Sequence, residues 1–97
     1  MQRQLRELRR LAQALREGGL TDRTIVIQGH TDAYGDDGYN MTLSEKRALV
    51  AKDYLISAVG IEPTQLTAVG LGKTQPLPDK PEFAPEQRRI EVVVEAR

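Results

Sequence analysis

Apolar residues near the start of the chain recur at three- and four-residue steps, which is the spacing of one face of an α-helix. The repeat consists of Leu5, Leu8, Leu11, Ala12 and Leu15. Five arginines occupy other positions of the same segment, as expected of the solvated face of an amphipathic helix. We therefore predict a helix over residues 3–17 that ends at Gly18-Gly19, because glycine adopts the left-handed conformation of a helix end without strain.

Three shorter runs rich in β-branched residues predict strands. In the last of them Ile90, Val92 and Val94 fall on one face, because successive side chains of a strand point to opposite sides. The predicted strands are Thr24–Gln28, which stops at Gly29, then Leu66–Val69, and finally Arg89–Glu95.

A second helix is predicted between the first two strands. Thr42-Leu43-Ser44-Glu45 has the spacing of a capping box, with threonine first and glutamate three residues later, so Ser44 is read as a helix-start residue. The helix continues through Val59 and ends at Gly60. Residues 71–86 contain four prolines and are predicted to be irregular, with a short helical turn after Pro85.

Helices that alternate with strands in this order predict an α/β sandwich, in which helices pack on one face of a small mixed sheet. The length of 97 residues corresponds to a single domain over residues 1–97. A helix precedes the first strand, and three strands are few for a sheet. We therefore expect that the fold lacks a first strand, that one sheet edge is left unpaired, and that the chain is truncated or part of a larger protein.

The composition excludes several classes of function. Fourteen basic and 14 acidic residues cancel, so bulk attraction to nucleic acid or to an anionic membrane is not indicated. The absence of cysteine excludes disulfides and thiolate metal sites. The one histidine, His30, has no set of partner ligands in sequence and is expected to cap the strand end by hydrogen bonds. We expect no metal and no cofactor, and no run approaches the roughly 20 apolar residues of a membrane span.

Arg47 breaks the pattern of the second helix, because it falls within the apolar arc and in the predicted first turn, where the helix dipole disfavours a cation. A guanidinium that faces inward stays charged and needs an anion. One interpretation is a structural ion pair with Asp32, in the loop just before the helix. The other makes Arg47 and Asp32 separate arms of a site for a zwitterion. Arginine and backbone N–H groups of the helix start would then hold a carboxylate, and aspartate an ammonium.

Several spaced motifs resemble one known family, the OmpA C-terminal-like domain, which also occurs in peptidoglycan-associated lipoprotein and in the flagellar stator protein MotB. Nearly the whole chain is covered, with the motifs in the family's order. The matching residues are Gly29-His30-Thr31-Asp32, Tyr39-Asn40, Leu43-Ser44, Arg47-Ala48, Val69-Gly70-Leu71-Gly72, Pro76 and Gln87-Arg88-Arg89-Ile90.

The resemblance implies a βαβαβ-type fold and a module that binds peptidoglycan noncovalently, without enzymatic activity. In the family, the aspartate and arginine at the positions of Asp32 and Arg47 hold the meso-diaminopimelate of the stem peptide. The same groove is implied to involve Asn40, Leu43, Arg88, and the loop backbone at Thr31 and Ala33. We also expect Tyr39 to pack beneath the loop, while the sequence leaves open whether Tyr34 lines the groove.

The resemblance further implies a place in the periplasm of a Gram-negative cell envelope, where the module would anchor its parent protein or the outer membrane to the cell wall. Any membrane contact would come from other parts of that parent. The family's first strand is absent, and its asparagine before the paired arginines is Gln87 here. The missing strand motivates a second hypothesis, a structural or assembly module that associates through its exposed sheet edge, for example as a homodimer, and has a weak or vestigial ligand site.

Overall fold

The computed structural model describes residues 2–18 and 23–95, and side chains from residue 8 onward within those ranges. All five predicted helices and strands are present in the predicted order. Two short 3-10 turns, Pro63–Gln65 and Pro85–Gln87, precede the last two strands, and the second is the turn predicted after Pro85. The helices and strands are α1 (Gln2–Glu17), β1 (Ile25–His30), α2 (Asp37–Val59), β2 (Leu66–Gly72) and β3 (Arg89–Val94).

The strands form one mixed sheet in the order β2-β1-β3. β1 runs parallel to β2, with α2 as the crossover, and antiparallel to β3. Ile27 pairs with Ala68 on one side and with Val92 on the other, which sets the register of the core face. Within the described ranges β2 and β3 each pair only with β1, so both lie at sheet edges. This agrees with the expectation of an unpaired sheet edge.

The core lies between one face of the sheet and the two helices. The alternation of β1 places Ile25 and Ile27 in this core, and α2 contributes small residues at helical spacing. Arg16 Nη2 donates to the carbonyl of Ala58 at 2.6 Å and ties α1 to the last turn of α2. The buried core residues are Ala12, Leu15, Ile25, Ile27, Ala48, Ala51, Leu55, Ile61 and Leu66. The side chain of Leu5 and the whole of Gly19 fall outside the described part of the structure, so the predictions made for them are not tested.

The start of α2 corrects the sequence prediction. The helix begins at Asp37, and Asp36 is its N-cap, with a side-chain oxygen that accepts a hydrogen bond from the N–H of Tyr39 at 3.0 Å. Thr42 lies inside the helix, so the predicted capping box is wrong. The cap at Asp36 is favoured because its carboxylate accepts the free N–H of Tyr39, and because the negative charges of Asp36 and Asp37 complement the helix dipole.

The earlier start moves Arg47 out of the first turn. Arg47 lies in the third turn, so the predicted dipole penalty does not apply. It also has no free backbone N–H groups of a helix start beside it. The predicted end of the helix is confirmed, because Gly60 is left-handed (φ +75°) and its N–H donates to the carbonyl of Ile56.

β1 and β2 continue beyond the glycines where the sequence predicted them to stop. A Cβ on Gly29 would lie 2.0 Å from the carbonyl oxygen of Ser44, and a Cβ on Gly70 would lie 2.5 Å from the amide nitrogen of Glu45. These glycines therefore remain within the strands and let the backbone of α2 pack directly on the sheet. The contact fixes the helix beside the loop that follows β1.

None of the helices in the described part of the chain has the length and apolar character of a membrane span.

Candidate functional site

The loop after β1 holds an aspartate in a fixed orientation. The N–H of Thr31 donates to the carbonyl of Gly72 at 2.9 Å, which attaches the loop to the end of β2. The next residue, Asp32, is only 7% exposed, and its Oδ1 accepts a hydrogen bond from the N–H of Tyr34 at 3.1 Å. This turn, in which an aspartate binds the backbone two residues ahead, positions the carboxylate at the strand end.

Asp32 pairs with Arg88 rather than with Arg47. Arg88 Nη1 lies 2.7 Å from Asp32 Oδ2, and the Arg88 side chain is 46% exposed. No hydrogen bond or ion pair joins Asp32 to Arg47 among the described residues, so the interpretation of these two residues as a structural ion pair is wrong. A residue 56 positions away supplies the partner.

Arg47 is half-buried on the flank of α2, beside the fully buried stripe of that helix. Its Nη1 is buried and has no hydrogen-bond partner in the part of the chain that the structure describes. A buried guanidinium N–H without an acceptor costs free energy, on the order of 1–3 kcal/mol or more. Arg47 is therefore placed to receive an anion.

The remaining predicted site residues surround this flank and the loop. Asn40 is buried, and its Nδ2 donates to the carbonyl of Tyr34 at 2.8 Å, so its amide fastens the helix to the loop. Leu43, four residues before Arg47, is half-buried on the same flank. Ala33 is half-buried, and its N–H donates to the carbonyl of Glu82 at 2.9 Å.

Ser44 has a role that the sequence prediction missed. It is fully buried, its hydroxyl donates to the carbonyl of Met41 at 2.8 Å, and its oxygen accepts the N–H of Gly72 at 2.9 Å. Because Gly72 also binds Thr31, Ser44 connects α2 to the site loop through the end of β2. The four-residue spacing of Asn40, Ser44 and Ala48 was the signal of a buried stripe.

Gln87 is the second residue whose role was missed. It is fully buried, its Oε1 accepts the N–H of Leu77 at 2.7 Å, and its Nε2 donates to the carbonyl of Pro81 at 3.1 Å. The side-chain amide of Gln87 thus anchors the proline-rich loop, and Gln87 directly precedes Arg88 in the chain. The methylene that distinguishes glutamine from the family's asparagine is accommodated in this loop.

A cleft of about 340 Å³ adjoins the loop. Thr31 and Ala33 form one wall. The ring of Tyr34 contacts that of Phe83, a lining residue of the cleft, at a centroid distance of 4.6 Å. Tyr39 is 65% exposed, so the expectation that it packs under the loop is wrong. Tyr34 itself is not a lining residue. The other lining residues are Lys73, Thr74, Pro76, Glu82 and Phe83.

His30 lies at the end of β1 and is fully buried. Its Nε2 is 3.2 Å from Glu91 Oε2, but neither ring nitrogen has a partner with hydrogen-bond geometry among the described residues, so the predicted capping bonds do not form. Burial, reinforced by the charge of Arg89, lowers the pKa of His30 below its usual 6.5, although Glu91 acts in the opposite direction.

This environment predicts a loss of stability in acid. The unfolded chain takes up a proton on His30 at higher pH than the folded chain, so its contribution to stability is complete above pH 6.5 and declines as the pH falls below that value. We expect His30→Gln to reduce this decline. Urea unfolding at a series of pH values measures it, and a variant that loses stability in parallel with the wild type would contradict the assignment.

Comparison with known proteins finds one family and several similar proteins. A family model described as "OmpA family" matches residues 2–91. Outer membrane porin F of Pseudomonas aeruginosa is 37% identical over 92 residues, which cover 93% of this chain and 26% of that protein. Peptidoglycan-binding protein ArfA of Mycobacterium tuberculosis is 39% identical over 75 residues, or 75% of this chain and 23% of that protein. The chain therefore spans about a quarter of the length of these relatives.

A solved structure shares the architecture. The peptidoglycan-associated lipoprotein from Burkholderia pseudomallei superimposes with a TM-score of 0.66 at 34% identity. The alignment covers 90% of this chain and 71% of that chain. Two helices on one face of a small mixed sheet are thus common to both.

Proposed function

This chain belongs to the OmpA family, and we propose that it binds peptidoglycan noncovalently and anchors the protein that contains it to the cell wall. The names of its relatives, a peptidoglycan-binding protein and a peptidoglycan-associated lipoprotein among them, support this proposal. The parent protein would act in the periplasm, with any membrane contact made by its other parts. Because the chain covers about a quarter of its curated relatives, we place only the wall-binding step in this domain.

The single observation that carries the proposal is that the buried Nη1 of Arg47 has no hydrogen-bond partner among the residues that the structure describes. We propose that Arg47 binds the side-chain carboxylate of meso-diaminopimelate in the stem peptide, because a planar guanidinium matches a carboxylate in a bidentate manner. Asp32 would take the neighbouring ammonium. A carboxylate offers about four acceptor positions, and two of those of Asp32 are used by Tyr34 and Arg88. The ammonium can therefore bind while the ion pair with Arg88 remains.

The other predicted residues receive roles that follow from their contacts. Thr31 and Ala33 present the loop backbone, and Leu43 supplies an apolar wall beside Arg47. Asn40 acts mainly by holding the loop, because its Nδ2 is engaged by the carbonyl of Tyr34. Recognition is equilibrium binding without a covalent step, and many repeats of the polymer provide avidity where one site binds moderately.

A pair of matched peptides tests the proposal. A stem peptide with meso-diaminopimelate in third position should bind, and the same peptide with L-lysine there should bind at least about a hundredfold more weakly. Lysine lacks only the terminal carboxylate, and without it the buried donor of Arg47 stays unpaired. Isothermal titration calorimetry of both peptides and co-sedimentation with purified sacculi give the measurement. Equal affinity for the two peptides would contradict the assignment of diaminopimelate as the ligand. Absence of binding to sacculi would contradict the proposed function.

A second candidate function is assembly through the sheet edge. Its basis is that β3 pairs only with β1 within the described residues and that Val93 of β3 is 43% exposed. In that case two copies would pair edge to edge. Light scattering would then show a dimer at micromolar concentration, and cysteines introduced in β3 would crosslink the two copies.

A further inference from the structure

Two large aromatic rings lie exposed at the rim of the cleft. Tyr34 is 64% exposed and Phe83 is 45% exposed, and their ring planes are tilted by 52°. Exposed aromatic groups next to a concave surface are typical of binding sites rather than of ordinary monomer surface. The roles derived for the diaminopimelate site use neither ring.

The backbone holds this pair in place from both sides. Asp32 Oδ1 accepts the N–H of Tyr34, and Asn40 Nδ2 donates to its carbonyl, so the tyrosine is fixed to the site loop. The N–H of Ala33 donates to the carbonyl of Glu82, which brings Phe83 against that loop. The backbone that carries both rings is thus attached to the segment that carries Asp32, so less backbone order has to be gained when a ligand binds.

The charges of the cleft select against an anionic occupant. Lys73 Nζ is bound to Asp37 at 2.6 Å, and its pKa is raised by that hydrogen bond and by the charges of Asp37, Glu82 and Asp36. One ammonium thus stands among three carboxylates. Such a surface accepts hydrogen bonds from hydroxyl groups readily, while it repels phosphate or a second carboxylate.

We propose that this cleft is a sugar subsite, in which one pyranose ring of the glycan strand lays its C–H face against Phe83, a lining residue whose ring is supported by the neighbouring Tyr34. Its hydroxyl groups donate to Glu82 and to Asp37 and accept from Lys73. The C–H edges of a sugar carry a partial positive charge that matches the negative face of an aromatic ring. A volume of about 340 Å³ is near the lower limit of ligand pockets and fits one ring better than an extended chain.

The proposal deepens the proposed function and rests on it, because the stem peptide is covalently attached to the glycan. Thr31 and Ala33 line the cleft on either side of Asp32 in sequence. In this proposal a stem held by Asp32 and Arg47 passes this wall of the cleft, and its own sugar lies at Phe83. The domain would recognise the junction between peptide and glycan, by contacts to both, rather than the peptide alone.

Two ligands test this subsite: the free diaminopimelate tripeptide and a disaccharide that carries the same tripeptide. We expect the wild type to bind the disaccharide-tripeptide about fivefold more tightly, which corresponds to about 1 kcal/mol. Phe83→Ala should abolish that difference and leave the affinity for the free tripeptide unchanged, and Phe83→Tyr should retain it. The control is Tyr39→Ala, which removes another exposed aromatic side chain (65% exposed, against 45% for Phe83) that does not line the cleft. Calorimetry measures affinity, and circular dichroism verifies the fold of each variant.

The outcomes separate the two proposals. If the wild type binds both ligands equally, or if Phe83→Ala weakens both by the same factor, the sugar subsite is overturned and the peptide site stands. If the free tripeptide does not bind but the disaccharide-tripeptide binds in a manner that depends on Phe83, the diaminopimelate site fails and the sugar subsite stands. If neither ligand binds, both proposals are overturned.

Discussion

Replacement of Arg47 by methionine is expected to lower the affinity for a diaminopimelate stem peptide at least about a hundredfold, or about 2.7 kcal/mol. A carboxylate held by a buried guanidinium loses both the charge and the paired donors when the arginine is removed, and losses of about 2–5 kcal/mol are usual for such pairs. Methionine keeps most of the unbranched apolar stem, so the packing against the flank of α2 is largely retained.

The same variant should be as stable as the wild type or slightly more stable in the absence of peptide. Nη1 of Arg47 is buried without a partner in the described residues, and its removal relieves an unfavourable desolvation. Urea unfolding of both proteins, with and without stem peptide, measures both effects. Arg47→Lys keeps the charge but not the bidentate geometry and should lose about tenfold in affinity.

Lys46→Met is the matched control, because Lys46 is exposed on the same helix and contributes nothing to the flank. It should leave peptide affinity unchanged. If Arg47→Met binds the peptide as the wild type does, Arg47 is not the carboxylate arm. If it instead unfolds the domain, Arg47 is a structural residue and the function attributed to its buried nitrogen is wrong.

The sequence identified Arg47 by an argument that was partly wrong. The period of α2 placed it against the apolar side, and the structure finds it half-buried on the flank. The additional argument from the first helix turn failed, because Asp36 and not Thr42 caps the helix. A local capping pattern cannot be ranked against another a few residues away without knowing which loop geometry the rest of the fold imposes.

The partner of Asp32 could not be predicted from local pattern. Arg47 follows the loop directly, whereas Arg88 is 56 residues away and reaches Asp32 only because β3 is antiparallel to β1 and the turn of residues 85–87 precedes it. The element order and the faces of β3 were predictable, since they depend on side-chain period. Contacts between distant segments depend on strand order, which the pattern does not determine.

The structural role of the glycines was the hardest to predict from the sequence. Gly29 was read as the end of a strand, whereas the structure continues β1 through it to His30. In a single sequence, a glycine that ends a strand looks the same as one that admits a neighbouring backbone. The distinction requires the position of α2, which passes close to Gly29 and Gly70 at Ser44 and Glu45.

Gly29→Ala is expected to lower the free energy of unfolding of the domain by more than about 4 kcal/mol. Losses of this size are exceptional and arise from severe packing conflicts. The added Cβ would lie 2.0 Å from the carbonyl oxygen of Ser44, and both atoms belong to rigid backbone-linked groups. Relief requires α2 to move away from the sheet, which breaks the bond from the N–H of Gly72 to the hydroxyl of Ser44. Gly70→Ala should act in the same direction, because its Cβ would lie 2.5 Å from the amide nitrogen of Glu45.

Urea unfolding followed by circular dichroism compares these variants with Gly38→Ala, whose added Cβ in the first turn of α2 would meet only the side-chain oxygen Oδ2 of the N-cap Asp36, at 3.1 Å. That control should change stability by no more than about 1 kcal/mol. β1 delivers Asp32 and α2 delivers Arg47, so the contact at Gly29 also sets the separation of the two arms. Gly29→Ala should therefore lose stem-peptide binding even at low temperature, where part of the population is folded. A Gly29→Ala protein with wild-type stability and affinity would show that α2 need not pack on the sheet backbone to form the site.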